Sequence, residues 1–176
     1  MRIFQEYFSI LKQLFIPDEM CEKIEDVVLD SLYFKGYKTI LLDVDNTLLT
    51  YDQRIVTLQK LNWINRYKNL GFNIFLLSNN IRFNRLKHIC EQINIPIGMY
   101  FALKPLSYSV RDLAYKYQFD LRKTIIIGDQ LFTDVLLGNW VRSYTILIDP
   151  VDKKLSFFKT VQREIEFFLL KKISSL

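Results

Sequence analysis

The sequence predicts an α/β fold, a Rossmann-like three-layer sandwich built on a five-stranded parallel sheet. Two observations lead there. Short apolar runs alternate along the chain with segments of helical spacing, the pattern of repeated β-α-β units. No internal repeat, low-complexity stretch or Gly/Ser linker breaks that alternation, so the 176 residues read as one domain with a substantial core.

The elements follow in order. KTILLD at 38–43 is a buried strand and RIVTLQKLNWINRYKNL at 54–70 a helix. FNIFLLS at 72–78 and RFNRLKHICEQIN at 82–94 repeat the pair, as do GMYFAL at 98–103 and SYSVRDLAYKYQF at 107–119. KTIIIGD at 123–129 precedes LFTDVLLGNWV at 131–141, and SYTILID at 143–149 is the last strand. This core of about 38–150 is flanked by terminal helices over 1–30 and 155–173, packing on the core or on a membrane. Ile3, Phe4, Tyr7, Phe8, Leu11, Leu14 and Phe15 give the first of them an apolar stripe.

Half of the residues are hydrophobic and 15% aromatic, which excludes a disordered chain. No stretch reaches the roughly 18 apolar residues of a membrane span, and the N-terminus lacks the form of a signal peptide. Cys21 and Cys90, without CxxC spacing, read as reduced thiols. A cytoplasmic protein is expected, with room for peripheral attachment to a membrane. The net charge of +5 favours phosphorylated ligands or anionic lipid. No basic run interleaved with aromatics points to nucleic acid.

In parallel α/β sheets, ligands bind beyond the carboxyl ends of the strands. Those ends carry Asp43 and Asp45, Ser78-Asn79-Asn80, Lys104, and Asp129 with Asp134 a turn later. Four carboxylates at one edge repel unless a cation sits among them. Oxygen ligands of this kind suit Mg²⁺. A carboxylate held ionised can attack phosphorus, which assigns Asp43 as nucleophile. Asp45, at i+2 on the same side of an extended chain, reaches the leaving oxygen as acid and then base. Ser78 and Lys104 bind the transferring phosphoryl oxygens. Each residue also has an ordinary role: Asn79 as a cap, Lys104 as a loop lysine, Asp134 as a first-turn acid. His88 reads as surface or packing, and Asp52 and Asp149 as surface carboxylates.

The motifs DVDNT, LLSNN, LKP and GDQLFTD, in this order, resemble the four motifs of the haloacid dehalogenase (HAD) phosphatase superfamily. The likeness is greatest to its subclass IIIA, YqeG-type members and to the related phosphatidylglycerophosphate phosphatases, and extends to PDE at 17–19 and YTILI at 144–148. The resemblance implies that Asp43, the backbone carbonyl of Asp45, and Asp129 hold Mg²⁺ with Asp134 close by. It implies that Asn79 lines the phosphate pocket and that Thr47 steadies the loop after the nucleophile. Leu103, Leu137 and Trp140 depart from the family pattern and bear on substrate contacts.

Neither gap between the first three apolar runs is long enough for a cap domain, so the site is open. The expectation is therefore a Mg-dependent phosphomonoester hydrolase working through an aspartyl-phosphate. Its first candidate substrate is a lipid phosphate, phosphatidylglycerophosphate. The alternatives are a phosphoprotein or small-metabolite phosphatase, or a HAD-fold binding module with little turnover.

Overall fold

A computed structural model describes residues 13–152. Their sheet has five parallel strands: β1 (Glu19–Cys21), β2 (Thr39–Leu42), β3 (Asn73–Leu76), β4 (Thr124–Gly128) and β5 (Tyr144–Ile148), in the order β1-β5-β4-β2-β3. The helices are α1 (Asp30–Phe34), α2 (Leu58–Leu70), α3 (Phe83–Ile93), α4 (Tyr108–Tyr117) and α5 (Leu136–Val141), the last preceded by a π-helical turn over Leu131–Val135. The stripe over Ile3–Leu11 and the helix expected at 155–173 lie outside the described residues.

The period of two along each strand builds the layers. Ile40 and Leu42 of β2, Ile74 and Leu76 of β3, and Ile125 and Ile127 of β4 face one side, where Trp63, Ile64 and Tyr67 of α2 and Leu86, Ile89 and Ile93 of α3 meet them. Leu41, Phe75 and Ile126 face the other side and meet Val110 and Leu113 of α4 and Leu137 and Val141 of α5. Covered on both faces, β2 is buried along its whole length, which is why its sequence is continuously apolar. The sheet order reverses between β2 and β4, so the crevice of such a fold opens beside the residues that follow those two strands.

Two expectations change. GMYFAL at 98–103 is not a strand; only Met99 bridges to Leu77. Gly98 passes so close to β3 that an added Cβ would overlap the Leu76 carbonyl, and the left-handed backbone of Phe101 and Leu103, φ 50 and 54, turns the chain away from the sheet. The fifth strand comes instead from the N-terminal segment, expected to be helical through residue 30. Asp18 fixes it: its N–H donates to the Thr145 carbonyl at 3.0 Å, and its carboxylate accepts the Thr145 N–H at 2.7 Å. β1 then adds parallel to β5.

Tyr67 ties α2 to the segment before α1. Its hydroxyl, fully buried, accepts the Leu29 N–H at 3.0 Å and donates to the Val27 carbonyl at 3.2 Å. Tyr67→Phe leaves the buried Leu29 N–H unpaired, while the Val27 carbonyl keeps the Trp63 indole N–H at 2.9 Å. We expect a loss of about 1–3 kcal/mol in urea unfolding, with circular dichroism unchanged.

Candidate active site

The site is assembled at the carboxyl edge of β2, β3 and β4. β2 delivers Asp43, whose N–H continues the ladder by donating to the Ile127 carbonyl at 2.9 Å. The chain then curls. The N–H groups of Leu48 and Leu49 both donate to the Val44 carbonyl, and Asn46 takes a left-handed φ of 66, which asparagine tolerates. The buried Lys60 of α2 clamps this loop by donating to the Leu48 carbonyl at 2.6 Å. Thr47 lies fully buried within it.

The lysine arrives from the segment after α3. Asn79 grips its backbone on both sides: the Lys104 N–H donates to Asn79 Oδ1 at 2.7 Å, and Asn79 Nδ2 donates to the Lys104 carbonyl at 3.1 Å. The Lys104 ammonium, itself buried, then bridges two carboxylates, Asp43 Oδ1 at 2.5 Å and Asp134 Oδ1 at 2.6 Å. Gly128 makes this possible, because a Cβ there would overlap the Asp134 carboxyl group. Asp134 also receives the Gln130 N–H at 3.2 Å on its other oxygen, which anchors the π-helical turn.

Asp45 has a separate set of partners. Arg85 of α3 donates to its Oδ1 at 2.8 Å, while Ser78 Oγ and Asn80 Nδ2 each approach its Oδ2 at 3.2 Å. Arg85 is buried and also donates to the carbonyls of Thr50 at 2.8 Å and Gln53 at 3.1 Å. Sequence reading missed this arginine. Its signal was present: Arg85 falls on the apolar stripe of α3, beside Leu86, Ile89, Cys90 and Ile93, where a charge needs a buried partner.

The structure thus brings all the expected residues to one place. Asp43, Asp45, Asn79 and Lys104 line a cavity of about 230 Å³ with Tyr51, Asn80, Gln130 and Thr133. Asp43, Asp129 and Asp134 offer oxygens within 4.8 Å of one another. Four buried carboxylates, with Asp45, face two buried cations, Lys104 and Arg85. One oxygen of Asp43, Oδ2, is buried without a hydrogen-bond partner. An excess of negative charge and an unengaged hard oxygen fit a divalent cation. Burial pushes the Asp43 carboxyl up from 3.8 to about 6 against the pull of Lys104, and the nearby Asp134 adds to the rise. Burial works against the Lys104 ammonium, but Asp134 and Asp43 more than reverse it and hold its pKa above the ordinary lysine value. The departures Leu137 and Trp140 lie away from the cavity: Leu137 is core, and Trp140 sits with Phe119, Leu121 and Arg142 near the amino ends of β4 and β5.

A parallel sheet reversed at this point, with acidic residues and a lysine gathered at its carboxyl edge, has the fold of the HAD-like phosphatases. The chain belongs to the mitochondrial PGP phosphatase family, whose sequence model matches residues 5–152. It is 32% identical over 157 residues to the probable phosphatase YqeG of Bacillus subtilis, covering 89% of this chain and 90% of that one. It is 25% identical over 151 residues to the probable mitochondrial phosphatidylglycerophosphatase of Schizosaccharomyces pombe, covering 77% and 69%. Among solved structures, the cobalt-bound deoxy-D-mannose-octulosonate 8-phosphate phosphatase of Haemophilus influenzae shares the fold at a TM-score of 0.52 and 17% identity, covering 80% of this chain and 91% of that one. A HAD-like phosphatase of Mesorhizobium loti does so at 0.51 and 13%, covering 78% and 88%.

Two outcomes are expected. Arg85→Met removes the charge partner of the buried Asp45 and the side-chain donor of the Gln53 carbonyl, costing about 3–5 kcal/mol in denaturant unfolding. The second concerns pH. A carboxyl whose folded pKa lies above its unfolded one stabilises fully below the unfolded value and loses that contribution as pH rises through the folded value. In chelator, the wild type should therefore lose stability relative to Asp43→Asn between pH 3.8 and about 6. The change is on the order of 3 kcal/mol. Parallel urea midpoints across that window would show that Asp43 does not titrate there.

Proposed function

We propose that this phosphatase hydrolyses a phosphomonoester carried on a lipid, phosphatidylglycerophosphate first, through an aspartyl-phosphate on Asp43. The observation that carries the chemistry is the partnerless Asp43 Oδ2, buried at a cavity that Asp43 and Lys104 line together. The lipid assignment draws support from the family match, from the relative called a probable phosphatidylglycerophosphatase, and from the open site. Between β2 and β3 lies α2, and between β3 and Met99 lies α3; among the described residues no cap covers the cavity.

Asp43 attacks phosphorus through one carboxylate oxygen as the bond to the leaving alkoxide breaks, and Asp45 gives that alkoxide a proton. A proton on Asp45 Oδ2 faces the Ser78 hydroxyl, which can turn from donor to acceptor, while Arg85 holds the other oxygen. Water then attacks the aspartyl-phosphate, Asp45 takes its proton, and phosphate leaves with Asp43 restored. Lys104 neutralises charge on the transferring oxygens, with its backbone fixed by Asn79. Asp43, Asp129, Asp134 and the Asp45 carbonyl would hold Mg²⁺, which supplies charge screening between nucleophile and phosphate when bound.

We place the whole chain, 1–176, as one domain in the cytoplasm, peripheral to a membrane. Cys21 and Cys90 are free thiols, and no helix among the described residues is long and apolar enough to cross a bilayer.

Phosphate release from phosphatidylglycerophosphate in mixed micelles tests the reading. Release should need Mg²⁺, vanish in Asp43→Asn and fall about 10²–10⁴-fold in Asp45→Asn. Hydrolysis of an aryl phosphate without hydrolysis of the lipid would keep the mechanism and discard the substrate. No turnover of either by folded, Mg²⁺-binding protein would make the chain a binding module.

A further inference from the structure

We infer that the apolar rim of the active-site mouth, formed by Ile81, Phe83, Tyr100, Phe101, Leu103 and Leu106, docks on the surface of an anionic phospholipid bilayer. These six side chains are between 39% and 72% exposed. They sit on two segments that carry the cavity itself, 81–83 leading into α3 and 100–106: Ile81 follows Asn79 and Asn80, and Leu103 precedes Lys104. The segments form one surface. The Phe101 N–H donates to the Asn80 carbonyl at 3.2 Å, the Ala102 N–H donates to the Ser78 carbonyl at 2.9 Å, and the Phe83 and Tyr100 rings meet edge to face at 5.0 Å.

Folding does not explain this surface. Contiguous exposed apolar side chains mark an interaction site. Phe101 and Leu103 moreover hold a left-handed backbone that large side chains disfavour. An unfavourable conformation that presents an apolar side chain to water gains nothing for the isolated chain.

Charge selects the occupant. Beside the rim runs a groove of about 660 Å³ lined by Ile81 and Phe83 together with Arg54, Arg82 and His88, with Asp52 as its acid. Arg54 and Arg82 make no ion pair among the described residues. Tyr51 lines both this groove and the cavity. Cations beside an apolar edge match the headgroup and acyl levels of an anionic bilayer. Such a surface would bring a lipid phosphomonoester to the mouth without a cap. The choice of a bilayer over a protein partner rests on the lipid reading above.

Docking is read apart from hydrolysis. The full chain is sedimented with vesicles of phosphatidylcholine alone, or mixed with phosphatidylglycerol, which carry no phosphomonoester. Binding to the mixed vesicles is expected, falling at least about tenfold in Phe101→Asn/Leu103→Asn and about tenfold or more in Arg54→Gln/Arg82→Gln. Asparagine accepts a left-handed backbone, so the first variant should fold with the circular dichroism and urea midpoint of the wild type. Absence of vesicle binding by the wild type would overturn the inference and leave the lipid-phosphatase reading standing on its own assay. Binding unchanged in both variants would assign docking to another part of the chain. A dimer in sedimentation velocity that Phe101→Asn/Leu103→Asn dissociates would make the rim a contact between copies.

Discussion

The buried ammonium of Lys104 is the constraint on which the rest of the site depends. It stands between Asp43 and Asp134, two carboxylates from different strand ends that repel each other once water is removed. Burying such charges costs several kcal/mol per ion unless geometry and hydrogen bonds compensate. The compensation is distributed. Asn79 holds the lysine backbone from both sides, Gly128 clears room for the Asp134 carboxyl, and the Lys60 clamp fixes the loop that follows Asp43. Each device comes from a different part of the chain, so the site exists only when the sheet is complete.

Two aspartates separated by one residue consequently live in different surroundings. Asp43 shares Lys104 and keeps one oxygen unengaged, and its carboxyl is pushed up by burial. Asp45 has both oxygens occupied, by Arg85 on one side and by Ser78 and Asn80 on the other. Neighbouring carboxyls whose environments diverge can divide nucleophilic and proton-transfer work. α3 makes the division possible, because its first turn brings Arg85 across from the far side of β3.

The four strands β2 to β5 and the helices on both faces were legible in the sequence because burial writes apolar runs, and the amphipathic stripes of α2 and α3 write the rest. β1 was not legible. Three residues, Glu19–Cys21, carry no periodicity, and what makes them a strand is the pairing of Asp18 with Thr145, 127 residues away. GMYFAL misled for the complementary reason: its apolar residues are there, but Phe101 and Leu103 turn away from the sheet and face solvent. At the site, strand ends gave the acidic residues, whereas Lys104 follows GMYFAL, which is not a strand. Arg85 was overlooked: its place on the apolar stripe of α3 signals a buried partner, but that partner is 40 residues distant and the stripe does not say which residue it is.

An open cavity of about 230 Å³ holds a phosphoryl group and little more, so the bulk of any substrate stays outside it. Electrostatic groups act most strongly where water is excluded. Enzymes with a lid exclude water with their own chain, but the described residues provide only the low walls of 79–83 and 99–106. A surface laid against those walls would do what a lid does, and it would bring the apolar side chains of Ile81, Phe101 and Leu103 out of water in the same step. On the proposed reading, the exposed rim and the absence of a cap among the described residues are therefore one feature: the site is completed by the surface that carries its substrate.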